Sequence, residues 1–356
     1  MNPNPNPNQT PIQSGAPAAQ REITERTNLC DERGRLRPAA NGWARHPVFH
    51  CNVTGHPFRK KKWDYWCVTN SEMLFSATIS NLDYAAVIFV YILDLRTLQF
   101  HEQSVTVPFG INCPMPDDVG ETVHYMGKDM IVSFENNKDG ITRIKVRCDK
   151  FGSGTLAADL SIQHPTGHET LNVVVPWSNN RFQFTSKQNC LPTEGEIRWN
   201  DLVYTVNPDD SFGCLDFGRG VWPYQASWNW ASASGKLSDS KTIGLTFGGQ
   251  WTDGTGATEN GIICNGHLSK IHEDIVWQYN KQNFMEPWQL HTSHTDQVVL
   301  TFEPLYERIA KTNALIIQSE VHQMIGKFSG TVFTDDGEKL EVKDLIGWAE
   351  DHHARW

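Results

Sequence analysis

From about residue 46 the chain alternates apolar and polar positions in short runs, each ended by Gly, Asn, Asp or Pro. TVHYMGKDMIVSF, GITRIKVRC, TLNVVVPW, EIRWNDLVYTV, TIGLTFGGQW, QVVLTFE and KFSGTVFTDDGEKLEV are examples. A period of two puts one face of each run toward a core and the other toward solvent, the pattern of half-buried antiparallel strands. In the last run the Asp336-Gly337 step supplies the turn of a hairpin. Helical periodicity is scarce, the best short candidate lying in PLYERIAKTN, residues 304–313. The expectation is an all-β protein with few short helices.

So many strands exceed what one twisted open sheet sustains, which leaves two barrels or a large sandwich. Three local similarities recur at nearly one spacing: Phe134-Glu135 with Phe302-Glu303, Trp63 to Trp66 with Trp228 to Trp230, and Trp177 with Trp348, offset by 165 to 171 residues. They suggest two β-halves of similar size that meet near residue 180. The expected organisation is a disordered tail over residues 1–20, a surface-wrapping segment over 21–45, a first barrel over 46–180 and a second over 181–356. The tail follows from MNPNPNPNQTPIQSGAPAAQ, which has too little apolar surface to offset the entropy of ordering itself.

A formal charge of −10 argues against a nucleic-acid partner, because phosphate binding needs clustered Lys and Arg. Arg59 to Lys62 form the only dense basic run, readable as a solvated turn or as a phosphate or lipid-head contact. The longest apolar run, Ala85 to Leu93, is half the length a spanning helix needs, so no membrane span is expected. Eight cysteines without a CxxC spacing read as small strand hydrophobes in a reduced, cytoplasmic protein.

Aromatics and chemistry concentrate in LDFGRGVWPYQASWNWASASG, residues 215–235. Read as a strand, Leu215 and Phe217 take one face and Asp216 the other, and Gly218, Arg219 and Gly220 are expected to bend it. Beyond the bend Trp222, Tyr224, Trp228 and Trp230 fall at even spacing on one face. Two readings stay open. Asp216 and Arg219 form a structural ion pair beside aromatic packing, or Asp216 lines a Trp- and Tyr-walled cavity, where an acid with a raised pKa donates protons near neutrality.

In GGQWTDGTGATENG, Glu259 and Asn260 enter a strand from a Gly-rich turn and are either rim residues or members of the same site. That turn lacks a GK[ST] ending and a βαβ context, which excludes a nucleotide loop. Asp64 and Trp66 in KKWDYWCV are a weaker counterpart in the first half, with Asp83 a comparable turn acid. Glu320, His322 and Met324 share a strand face on which an acid and an imidazole are neighbours. Neither HTSH nor DHHARW has a third ligand at a metal-site distance, and no GxSxG elbow occurs. No metal or cofactor is expected.

DFGRGVWPYQASWNWASASG, TIGLTFGGQWTDGTGATENG, PWQLHTSHTDQVVLTFEP and GWAEDHHARW together resemble the DUF2804 family, over nearly all of residues 40–356. More loosely, the chain is similar in architecture to the tandem lipocalin-like proteins, such as carotenoid hydratase, the AttH-like proteins and decalin-forming cyclases. That resemblance implies two lipocalin-like barrels rather than a sandwich; no catalytic motif aligns residue by residue.

Three functions follow as expectations. The first is a hydratase- or cyclase-type lyase or isomerase of secondary metabolism, transferring protons to a largely apolar unsaturated small molecule. Asp216 would be the acid, Arg219 would orient it, and Trp222, Tyr224, Trp228 and Trp230 would enclose the substrate. The second is a carbohydrate-active enzyme using Asp216 and Glu259 as a carboxylate pair. The third is a non-catalytic lipid or pigment carrier.

Overall fold

A computed structural model describes residues 19–137, 139–314 and 317–356. The tail expected over residues 1–20 lies, apart from residues 19 and 20, outside the described residues. The elements are β1 (Thr27–Asn28), a single 3₁₀ turn (Pro38–Ala40), β2 (Trp43–Ala44), β3 (Phe49–His50), β4 (Lys60–Thr69), β5 (Met73–Asn81), β6 (Ala85–Asp94), β7 (Phe100–Pro108), β8 (Val123–Met126), β9 (Met130–Asn136), β10 (Ile141–Phe151), β11 (Gly154–Gln163) and β12 (Leu171–Ser178). They continue with β13 (Arg181–Trp199), β14 (Leu202–Val206), β15 (Phe212–Val221), β16 (Gln225–Lys236), β17 (Thr242–Gly249), β18 (Asn260–Cys264), β19 (His267–Ile271), β20 (Ile275–Gln278), β21 (Trp288–Thr292), β22 (Val298–Ala314), β23 (Ile317–Phe333) and β24 (Lys339–Arg355).

Two curled antiparallel sheets stand in tandem, a lipocalin-like all-β arrangement. The first orders its strands β7-β6-β5-β4-β15-β13-β11-β10-β9-β8, with β2, β12 and β14 attached at its flanks, and the second β19-β18-β17-β16-β24-β23-β22-β21-β20. The repeat is topological: each sheet starts with a four-strand meander whose first strand, β4 or β16, is closed by the last strand of its own half, β15 or β24. Trp63 and Trp228 occupy equivalent positions on those first strands. The Phe134/Phe302 and Trp177/Trp348 matches do not.

This closure corrects the expected boundary at residue 180. The first sheet needs β13 and β15 and therefore runs to Val221, and the second starts at Gln225. Residues 21–45 do more than wrap the surface. Leu29, Cys30 and Trp43 are buried, and β2 pairs with β12.

The helix expected in residues 304–313 is absent. The segment is part of β22, in register with β23 across a bulge at Pro304/Tyr306. Tertiary pairing overrides the weak local preference, and Arg308 is held by two hydrogen bonds to Glu102, at 2.8 and 2.9 Å. The expected hairpin is present, with Thr334 N–H bonded to the Glu338 carbonyl at 3.0 Å and Gly337 at φ +85°.

Each sheet wraps its own core, the first around Phe75, Ile79, Phe134, Phe184 and Phe217, the second around Phe247, Trp288, Phe302, Met324 and Phe328. Two further buried clusters mix residues of both halves. One joins Trp43, Val173, Trp222, Trp251 and Ile263, the other Tyr65, Tyr91, Trp230, Ile325 and Trp348. The outer face of the first meander is thus buried against β16, β22, β23 and β24, and that of the second against β12 and β13. All eight cysteines are buried and unpaired.

Candidate functional site

β15 runs unbroken from Phe212 to Val221 in register with β13 and β4, so the bend expected at Gly218 to Gly220 is not there. Gly218 serves close approach instead, since a Cβ at that position would lie 2.3 Å from Cζ2 of Trp63. An uninterrupted pleat fixes the sides: Leu215, Phe217 and Arg219 face the first core, whereas Cys214 and Asp216 face the second barrel.

Arg219 therefore cannot pair with Asp216. Its guanidinium is fully buried and donates to Oδ1 of Asp64 at 2.7 Å and to the carbonyls of Pro116, Trp63 and Gly218 at 2.8 Å each. This corrects the expectation that Arg219 orients Asp216. Three residues apart in a strand means opposite faces.

On the inter-barrel face Asp216 has Lys187 as its cross-strand neighbour on β13 and Tyr65 on β4. Lys187 Nζ lies 2.9 Å from Oδ1 of Asp216, 3.1 Å from Oε2 of Glu259 and 4.0 Å over the Trp230 ring. Asp216 also accepts the Thr185 hydroxyl at 3.1 Å. Glu259 accepts Nε1–H of Trp251 at 2.7 Å, and it fits because Gly248 has no side chain: a Cβ there would fall 2.2 Å from Cγ of Glu259. Burial penalises the charge of Lys187, but Asp216 and Glu259 outweigh it and raise the ammonium pKa.

Opposite stands a row of the second sheet in which Trp230, Glu350 and Gln323 are cross-strand neighbours, followed by Arg308. Glu350 accepts Nε1–H of Trp228 at 3.0 Å. Burial, with Asp216 adding repulsion, pushes its carboxyl up to about 7, against the pull of the Trp228 bond and the Lys187 charge. Gln323 links this acid to the other barrel, accepting the Tyr91 hydroxyl at 2.8 Å; the Tyr91 and Tyr65 hydroxyls are themselves 2.8 Å apart. Asp216, Tyr65 and Glu350 remain 9%, 8% and 7% exposed, so solvent-sized space touches the cluster.

The structure divides the aromatic wall. Trp222 lies against five other indoles, those of Trp63, Trp177, Trp228, Trp251 and Trp356, at 5.0 to 5.9 Å between ring centroids, and gives its N–H to Gln183. It is packing. Trp228 and Trp230 touch the acid cluster, and Tyr224, 44% exposed, has the Arg59 guanidinium 5.9 Å from its ring centroid.

Among the other expected residues, Asn260 is structural, bonding Gly248 N–H and the Glu273 carbonyl. His322 sits between Glu307 and Glu320, stacked on Phe284, on the far side of β23 from Gln323. Asp64 and Trp66 line a cavity inside the first barrel. Lys187, Glu350, Tyr65 and Trp251 escaped the sequence reading. Lys187 closes the run Gln183, Thr185, Lys187, whose alternation with Phe182 and Phe184 reads as a solvent face, and nothing in one strand reveals that a second barrel covers it.

No group of three metal-ligating side chains occurs among the described residues, and no helix there is long and apolar enough to cross a membrane.

In solved structures, CghA aligns at a TM-score of 0.53 and 8% identity over 95% of this chain and 97% of its own. Kievitone hydratase from Nectria haematococca aligns at 0.47 and 10% identity, over 84% and 89% respectively. The likeness to CghA is one of fold, that of tandem lipocalin-like barrels. No curated protein sequence matches. Residues 20–356 match the model of a domain of unknown function, and the chain belongs to that family, DUF2804.

Proposed function

We propose that the protein is an acid–base catalyst that protonates a largely apolar, unsaturated small molecule at the interface of its two barrels, by hydration, isomerisation or cyclisation. One observation carries this reading: three buried carboxyls, Asp216, Glu259 and Glu350, surround a single lysine. Arg308 also acts on Glu350 but is bonded to Glu102, and Lys270, near Glu259, is bonded to backbone carbonyls; Lys187 cannot by itself balance three anions in a medium that solvates charge poorly, so one carboxyl holds a proton. Glu350, with its pKa near 7, is that donor at neutral pH. Asp216, fixed by Lys187 and Thr185, is the partner that recovers the proton. Trp230, whose ring already carries the Lys187 ammonium, and the neighbouring Trp228 and Tyr65 are rings of the kind that stabilise positive charge developing on an apolar substrate.

A glycosidase pair of Asp216 and Glu259 fits poorly. Lys187 Nζ occupies the space between them, where the sugar and its water would have to sit.

The test is deuterium transfer. Isoprenoid alkenes, conjugated polyenes and enones are incubated with the protein in D₂O and examined by mass spectrometry for new C–D bonds. The expected result is incorporation into at least one class, reduced about 100-fold or more by Glu350→Gln and by Asp216→Asn. Binding without exchange would make the protein a carrier, and exchange at the wild-type rate in Glu350→Gln would remove that residue from its role.

A further inference from the structure

Behind β15, inside the first barrel, is a cavity of about 210 Å³ walled by Trp66, Phe134, Leu215 and Phe217, with Val119 and the exposed Gly120 at its mouth. Its lining also carries Asp64, Gln188 and His164. Arg219 binds Oδ1 of Asp64, and among the described residues no hydrogen bond reaches the second carboxylate oxygen. Gln188 is 3% exposed and gives Nε2–H to Ser186 at 3.3 Å, while its Oε1 is buried without a donor.

The tautomer of His164 follows from its neighbours. Asn136 donates its amide to the Glu121 carbonyl, so its Oδ1 accepts the Thr142 hydroxyl. His164 Nε2, 2.8 Å from that same hydroxyl oxygen, must then be the donor, which leaves Nδ1 an acceptor. Burial lowers the imidazole pKa to about 4 and keeps the ring neutral.

An acceptor left unpaired in a core is costly, and a ligand that supplies the missing donor removes that cost. A dry cavity of about 150 Å³ admits benzene, whereas drug-sized ligands need about 300 Å³ or more. The size here suits one ring with short substituents. Asp64 is already neutralised by Arg219, so a cationic ligand gains little. We propose that this cavity is a binding site, separate from the inter-barrel acids, for a compact neutral ring compound bearing a hydroxyl group that donates to Oε1 of Gln188.

The test is calorimetric titration of the full chain with 4-ethylphenol and with ethylbenzene. The phenol should bind saturably, at one site, about 10-fold or more tighter than the hydrocarbon. Gln188→Leu should cut phenol affinity by about 5- to 50-fold while leaving ethylbenzene unchanged. Val119→Trp fills the mouth without disturbing the buried pair and should abolish both. Glu350→Gln should alter neither. Absence of saturable phenol binding, equal affinity for the two probes, retained binding in Val119→Trp, or loss in Glu350→Gln would each overturn the proposal.

Discussion

Arg219 and Lys187 are buried cations on adjacent strands of one sheet, yet they occupy opposite faces and opposite electrostatic circumstances. Arg219 meets one carboxylate, Asp64, and three carbonyls. The account is closed, with one positive and one negative charge and the guanidinium donors directed at fixed acceptors. Lys187 meets Asp216 and Glu259 directly and has Glu350 close enough to feel its charge. Here acid is in excess. A balanced buried pair resists change, because removing either member strands the other; an unbalanced cluster has to store a proton, and a stored proton can be transferred.

The largest effect tests the closed side. Arg219→Met leaves Asp64 unpaired in the first core together with three carbonyls that lose their donor. Stability should fall by about 3 to 5 kcal/mol at pH 7, read by urea unfolding. A loss below about 1 kcal/mol would mean that Asp64 keeps its charge there without a partner, since taking up a proton at pH 7 would itself cost about 4 kcal/mol, and the contrast between the two faces would collapse.

How far this contrast could be read from sequence depends on which surfaces meet. Alternation placed Leu215 and Phe217 opposite Asp216 correctly, because a strand's own pleat decides that. The same alternation separates Arg219 from Asp216, and only the expectation of a glycine bend obscured it. The DUF2804 resemblance and the lipocalin-like tandem were legible from long motifs and strand spacing. The acid cluster was half legible: Asp216 and Glu259 stood out in aromatic and glycine-rich surroundings and do converge, on one lysine. Lys187 and Glu350 did not stand out. Lys187 shares its face with Gln183 and Thr185, and such a face looks solvated until another sheet is known to cover it; Glu350 is one of two adjacent acids in a run of charged and His residues that reads as exposed. For the same reason the even-spaced aromatics looked like one wall, when the interruption between β15 and β16 at Trp222 to Tyr224 leaves Trp222 among other indoles and puts Trp230 on the acid cluster.

The intermediate effect tests the open side through pH. The carboxyl of Glu350 has a folded-state pKa of about 7, above its ordinary value near 4.5. Between those values the folded state binds more protons than the unfolded state, so this group's contribution to stability declines as pH rises through the window and is least favourable above it. The full swing is about 3 kcal/mol. Glu350→Gln carries no such penalty. Relative to wild type it should gain about 3 kcal/mol between pH 4.5 and pH 8, measured as the difference between urea unfolding curves at the two pH values. A gap that stays constant with pH would show that Glu350 is ionised throughout, and the excess-acid side would then hold no mobile proton.

The smallest effect distinguishes indoles that tune the acid from indoles that only pack. Trp228 gives its N–H to Glu350, a bond that favours the ionised carboxylate. Trp222, in the same aromatic cluster, gives its N–H to Gln183. Trp228→Phe keeps an aromatic ring and deletes the donor, so the Glu350 pKa should rise by about 0.5 to 1 unit, equivalent to about 1 kcal/mol. The upper end of the pH window over which the stability difference against Glu350→Gln changes, measured in the same Trp228→Phe background, should move upward by that amount, and the swing should grow by about 1 kcal/mol. Trp222→Phe removes an indole that is buried more deeply than Trp228 and should leave the upper end of the window in place, whatever it costs in overall stability. Equal displacement by both substitutions would mean that the carboxyl responds to general loosening of the interface rather than to its hydrogen bond. The division of the wall into packing and tuning residues would then be lost.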